Sequence, residues 1–149
     1  MGEHHPPSTP EEARRLAGRV AADMNLRDRA TNALGIRVES CGPGRADLTM
    51  TVRGDMLNGH AICHGGFIFT LADSAFAYAC NSYNANTVAA GCSIEFLAAS
   101  RLGDVLTARA RERVLSGRSG VYDVDVTNQD GETVAVFRGK SARIRGHVT

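Results

Sequence analysis

Few groups between Asn58 and Cys80 can do chemistry, and their spacing narrows what that chemistry is. His64-Gly65-Gly66 opens an apolar run. Two glycines there let a ligand approach the unpaired N–H groups of a first helical turn, where the helix dipole favours negative charge. Such groups can polarise a carbonyl as an oxyanion hole. Equally, the glycines can serve a tight strand-to-helix entry. From Gly65 to Cys80 the only formal charge is Asp73. A helix apolar on nearly every side is buried, and burying a lone carboxylate is costly. Either backbone and hydroxyl donors satisfy Asp73, with Thr70 and Ser74 at hand, or it is a general base or nucleophile made more basic by apolar surroundings.

Geometry adds a constraint. Gly66 and Asp73 share a helix face but are separated by roughly 10 Å along the axis, at 1.5 Å per residue. Asp73 cannot reach a carbonyl seated at the start of its own helix. If both groups act on one substrate, the helices of two subunits run antiparallel and each lends what the other lacks. The chemistry demands a dimer.

Other patterns carry less. His60 and His64 have the histidine spacing of the H-E-x-x-H zinc motif, but Ala61 replaces the glutamate and the pair precedes the helix, so no metal is expected. Cys63 and His64 are adjacent, and adjacent side chains on a loop point apart, so a small buried thiol is expected rather than a nucleophile. Arg109, Arg111 and Arg113 alternate along one strand, followed by Arg118, Arg138, Lys140, Arg143 and Arg145. Such a ladder is a solvated face or a clamp for the phosphates of a nucleotide-bearing substrate.

The elements that position these groups read as follows. Thr9-Pro10-Glu11-Glu12 is a capping box, with Ala13, Leu16, Ala17, Val20 and Met24 at helical spacing behind it. Residues 1–8 form a flexible tail before it. A short helix over Asp28 to Leu34 ends at Gly35. Gly42-Pro43-Gly44 breaks an alternating stretch into a hairpin. A loop over Arg53 to Cys63 leads into the long helix from His64 to Asn81. Strands follow over Thr87 to Leu97, Asp104 to Leu115, Gly120 to Thr127 and Thr133 to Ile144, with Gly- and Asn-rich turns between them. The fold class is α+β: one domain over residues 9–149, with an antiparallel sheet wrapped around a central helix and helices at the N-terminus.

Composition excludes several functions. A chain of 149 residues with 43% hydrophobic and 22% charged residues fits an ordinary globular domain. Its 17 basic and 16 acidic residues create no global field toward nucleic acid or membranes. No apolar leader or membrane span is visible, so a cytoplasmic protein with reduced thiols at Cys41, Cys63, Cys80 and Cys92 is expected.

Asn58, His64-Gly65-Gly66, and Asp73 within LADSAFAYACNS together resemble the hot-dog-fold acyl-CoA thioesterases, above all the phenylacetic-acid-degradation family. CSIEFLAASRLGDVLTARA and GVYDVDVTNQDGETVAVFRGKSARI are similar to that family too, and the likeness runs from Leu34 to Ile144. Cys63 stands where a smaller residue such as alanine is expected. The resemblance implies a sheet around one long helix, homodimers and usually homotetramers built as dimers of dimers, an acyl-CoA substrate and no cofactor. It implies that Asp73 activates water or attacks the thioester, that Gly65 N–H polarises the carbonyl, that Asn58 positions water or substrate, and that His64 supports the loop. Gly66, Arg118 and Lys140 would contact the substrate, hydroxyphenylacetyl-CoA or phenylacetyl-CoA. The rivals are a thioesterase of other chain specificity, a hydratase on the same fold and a non-catalytic acyl-CoA-binding protein. A hydratase wants Asp and His paired on one loop, and a sensor wants an appended DNA-binding domain.

Overall fold

The computed structural model describes residues 6–149. Of the tail expected over residues 1–8, residues 1–5 lie outside the described residues. Helix α1 spans Pro10–Arg27 behind the expected capping box: Thr9 Oγ1 accepts from Glu12 N–H at 3.2 Å, and Glu12 Oε2 accepts from Thr9 N–H at 3.3 Å. Helix α2 is short, Arg29–Ala33, capped by Asp28 and followed by Gly35 at φ +67, a backbone state that favours glycine. The hairpin strands are β1, Arg37–Gly42, and β2, Arg45–Thr51.

The central helix α3, Gly65–Asn81, starts at the His64 cap. Four strands follow: β3, Thr87–Phe96; β4, Val105–Ser116; β5, Ser119–Thr127; and β6, Thr133–Arg143. All pair antiparallel in one sheet ordered β1-β2-β4-β5-β6-β3. The connection from β3 to β4 therefore crosses the sheet, leaving β3 on one edge and β1 on the other.

Alternation decides what the sheet offers the helix. Leu48 and Met50 of β2, Leu106 and Ala108 of β4, Val124 of β5 and Phe137 of β6 are buried on the inner face. Against them α3 lays Ile68, Leu71, Ala72, Ala75, Phe76 and Ala79. The alanines let the helix approach closely, and so does Gly139, where a Cβ would lie 2.8 Å from the Phe76 ring. Burying the larger of these side chains, the leucines, Ile68, Met50, Val124 and the phenylalanines, stabilises the fold by about 1.5–3 kcal/mol each, which makes α3 the centre of the core.

The two edges differ. Helix α1 packs over β1. Strand β3 is exposed along almost its whole length, including Val88 and Phe96. Beside it, Gly66, Thr70, Asp73 and Ala77 form a stripe of α3 that the chain's own sheet does not fully cover. The helix is thus less completely buried than its apolar sequence implies.

Candidate active site

The loop before α3 is tied down at every step. Leu57 bridges to Cys63, His64 N–H donates to Met56 C=O at 2.8 Å, and Cys63 N–H donates to Ser100 C=O at 2.8 Å. Asn58 folds the turn inside: its Oδ1 accepts from His60 N–H at 2.9 Å and from Ile62 N–H at 3.4 Å, while Ala61 adopts φ +58. The Asn58 amide nitrogen has no partner among the described residues.

His64 is the N-cap of α3, and its Nδ1 accepts from Gly66 N–H at 2.9 Å. The role of Nδ1 as acceptor places the proton of a neutral ring on Nε2. It also separates the two glycines. Gly66 N–H is engaged by the cap, whereas Gly65 N–H makes no hydrogen bond to any described residue. Of the two glycines, only Gly65 keeps a free donor at the positive end of the helix dipole.

A hollow of about 500 Å³ opens there, lined by Asn58, Ile62, Cys63, Gly65, Ile68 and Phe96 among others. The tip of the Phe96 ring comes close to the helix start: a Cβ on Gly65 would lie 2.9 Å from its Cζ. Ser100, with its hydroxyl buried and unpartnered among the described residues, stands in the same wall. Cys63 is buried, its thiol pushed up to about 11 by burial, which suits the inert role expected of it.

Asp73 sits two turns up α3, outside this hollow, as the helical spacing requires. It is half-buried rather than fully buried, correcting the expectation from the apolar run. The nearby hydroxyls do not satisfy it: Thr70 donates to Gly66 C=O at 2.9 Å and Ser74 to Thr70 C=O at 2.7 Å. Among the described residues its one polar contact is the Cys92 thiol of β3, with Sγ 4.0 Å from Oδ1. Burial without a positive partner raises the Asp73 carboxyl above the usual carboxylate value. A carboxylate of this kind can take a proton from water or attack an electrophilic carbonyl.

Arg118 and Lys140 do not join these groups. Arg118 lies in the β4–β5 turn, and Lys140 projects from the outer face of β6, opposite Gly91 and Val121. Neither has an ion-pair partner among the described residues. Three members of the arginine ladder are occupied. Arg111 bonds Asp47 at 2.7 Å, Arg138 grips Asp123 through two bonds of 2.6 and 2.9 Å, and Arg109 donates to Thr127 Oγ1 at 2.9 Å. Arg113 falls at a register shift in β4, so the regular alternation stops before it. The sequence reading missed Cys92 and Phe96. Their common face is visible in the alternation of Cys92, Ile94 and Phe96, but which face that is depends on pairing with β6.

Comparison with known proteins assigns this arrangement to a family. The family model of the thioesterase superfamily matches residues 60–135, from the loop through α3 to the start of β6. The chain belongs to the thioesterase superfamily. Its fold is the hot-dog fold of these hydrolases, a six-stranded antiparallel sheet around one helix. It is 52% identical over 126 residues to the Escherichia coli K12 acyl-coenzyme A thioesterase PaaI, covering 85% of this chain and 90% of that one. The solved structure of E. coli PaaI, from the phenylacetic acid degradation operon, superposes with a TM-score of 0.89 at 49% identity, covering 91% of this thioesterase and 98% of PaaI. A Streptococcus mutans UA159 protein solved with acetyl-CoA bound matches with a TM-score of 0.72 at 29% identity, over 75% of this chain and 90% of that one. Among the described residues no helix is long and apolar enough to cross a membrane.

Proposed function

We propose that this thioesterase hydrolyses aryl-acetyl-CoA thioesters, phenylacetyl-CoA or its hydroxylated relatives, to the free acid and CoA. The observation that carries the reading is Asp73: an unpaired, half-buried carboxylate on the uncovered stripe of α3, in a chain half identical to an acyl-CoA thioesterase. The thioester carbonyl oxygen accepts from the free Gly65 N–H, which draws electrons from the carbonyl carbon. Asp73 takes a proton from a water molecule as the water oxygen bonds to that carbon, or it bonds to the carbon itself and water later releases the acid. The C–S bond then breaks and CoA leaves as the thiolate, which takes up a proton. The Asn58 amide positions the water or the acyl group, His64 locks the helix start, and the backbone at Gly66 flanks the thioester. Arg118 and Lys140 hold the CoA phosphates.

The site is shared between two subunits. Asp73 touches Cys92 and Gly65 touches Phe96, and those strand positions lie roughly 13 Å apart at 3.3 Å per residue. If two β3 edges pair antiparallel about a two-fold axis near Ile94, the Phe96–Gly65 end of one chain falls against the Cys92–Asp73 position of the other. The same pairing covers the bare edge and the open stripe of α3, as edge strands require. A homodimer, or a homotetramer made of two, is the working assembly.

The deciding experiment is release of free thiol from a panel of short, long and aromatic acyl-CoAs. Preferential turnover of the aryl-acetyl esters is expected. Binding of these esters without release of CoA would reduce the protein to a non-catalytic acyl-CoA-binding module, and a preference for unbranched chains would move the specificity.

A further inference from the structure

Strand β3 contains one extra residue, and that residue sets which side chains meet the catalytic stripe. Ala89 pairs with Ser141, which is buried; Gly91 pairs with Lys140, which is exposed; and Cys92 pairs with Gly139, buried against Phe76. In an unbroken strand, residues 89 and 92 would point to opposite faces. The register shift at Ala90 resets the phase, so both face α3, and such bulges serve to re-aim side chains. Three contacts agree on the new phase. Cys92 reaches Asp73, Ile94 packs on the core, and Phe96 lies on Gly65.

We propose that Cys92 is a positioning residue for Asp73: the bulge at Ala90 turns the thiol onto Oδ1, and this contact holds the carboxylate in its reactive orientation. The proposal rests on the reading of Asp73 as the reacting carboxylate. Among the described residues no other hydrogen-bond donor reaches that side chain. The titratable groups whose charge is felt there are thiols, Cys92 from β3 and Cys80 from α3 itself. Both are pushed up first by burial and then by the Asp73 charge, Cys80 to about 12. Burial is the one cause of the shift on Asp73, with no contribution from a charged group on the surrounding strands or on α1 and α2. Cys92 therefore stays protonated at neutral pH, a neutral donor and a poor nucleophile. A thiol is also a weaker donor than a hydroxyl, so it orients the carboxylate while stabilising its charged form only slightly.

The test compares Cys92→Ala with Cys92→Ser, two replacements of nearly equal bulk that differ in having a donor. In dimers of normal size, Cys92→Ala is expected to lower kcat about tenfold, with KM within about twofold, as loss of orientation does. Cys92→Ser should recover most of kcat, and the acid limb of its pH profile should lie below that of Cys92→Ala, because a hydroxyl favours the charged carboxylate more. Equal kcat and equal acid limbs in the two variants, or a loss confined to KM, would overturn the proposal. A second readout needs no Cys92 variant: the infrared S–H stretch of the intact protein should move when Asp73 becomes Asn, and an unmoved band would equally overturn it. The underlying reading fails separately, if Asp73→Asn remains active. An inactive Asp73→Asn with indistinguishable Cys92 variants removes the positioning role alone.

Discussion

The outer face of the sheet and the uncovered stripe of α3 treat aspartate in opposite ways. On the outer face Arg138 grips Asp123 and Arg111 bonds Asp47, all on partly exposed surface. The Arg138 hydrogen bonds hold the Asp123 carboxyl below its usual value. On the stripe Asp73 faces a thiol and apolar walls, and burial raises it. The residue type is the same and the shifts have opposite sign, so neighbours decide whether an aspartate is a structural anion or a reactive one. The paired acids are quiet because each has an arginine partner, and Asp73, which has none, is the one proposed to react.

The largest effect that could break this contrast is at Asp73. Asp73→Asn should cut turnover at least about a hundredfold, typical of removing a general base or nucleophile. The sign of its stability effect is distinctive. The folded-state value of Asp73 lies above its unfolded value, so its contribution to stability is complete below the ordinary aspartate range and is lost as pH rises through the raised value. At neutral pH Asp73→Asn should therefore melt at the same temperature as the parent or higher. A variant that loses activity because it unfolds would remove this support. The acid limb of kcat/KM in the parent should correspondingly fall above the ordinary value of 3.8, and a limb below it would contradict the raised carboxyl.

Complementation tests whether the unpaired acid serves its own helix start or that of another chain. Gly65→Pro removes the free N–H at the first helical position, where the backbone suits proline because His64 holds φ −60, ψ 131. The proline Cβ, 2.9 Å from the Phe96 ring, requires that ring to move aside. Gly65→Pro and Asp73→Ala should each be inactive alone. Co-expressed at equal levels they should regain roughly a quarter of parent sites, since half the dimers are mixed and half the sites in those are intact. Absence of rescue between correctly paired chains would place both groups in one subunit's site.

Smaller effects belong to the surface. Arg118→Ala and Lys140→Ala should raise KM for CoA esters by severalfold with kcat retained, and added salt should act in the same direction. An unchanged KM would put the phosphates elsewhere. Smallest of all is Arg138→Ala. Asp123 is stabilised in its charged form, a contribution present above its ordinary value and lost as pH falls through the lowered one. On exposed surface such a pair contributes little, so melting should shift only slightly and kcat should not change. A large loss of turnover would mean that the outer face takes part in catalysis.

Much of this molecule is written locally. The Thr9 capping box, the Gly35 stop, the Pro43-Gly44 hairpin and the spans of α3 and the last four strands follow from caps, turns and periodicity, each a matter of a few adjacent residues. The separation of Gly65 from Asp73 is equally a property of helix rise. Tertiary structure decided the rest, because it depends on pairing between distant residues. Arg111 and Arg138 become neutralised only when β2 and β5 bring Asp47 and Asp123 beside them. The loop ahead of α3 takes its place only where Cys63 N–H meets the distant Ser100 C=O. The face that Cys92 presents is set by one unpaired residue in β3, since a strand's alternation has a period but no fixed phase until a neighbour supplies the register.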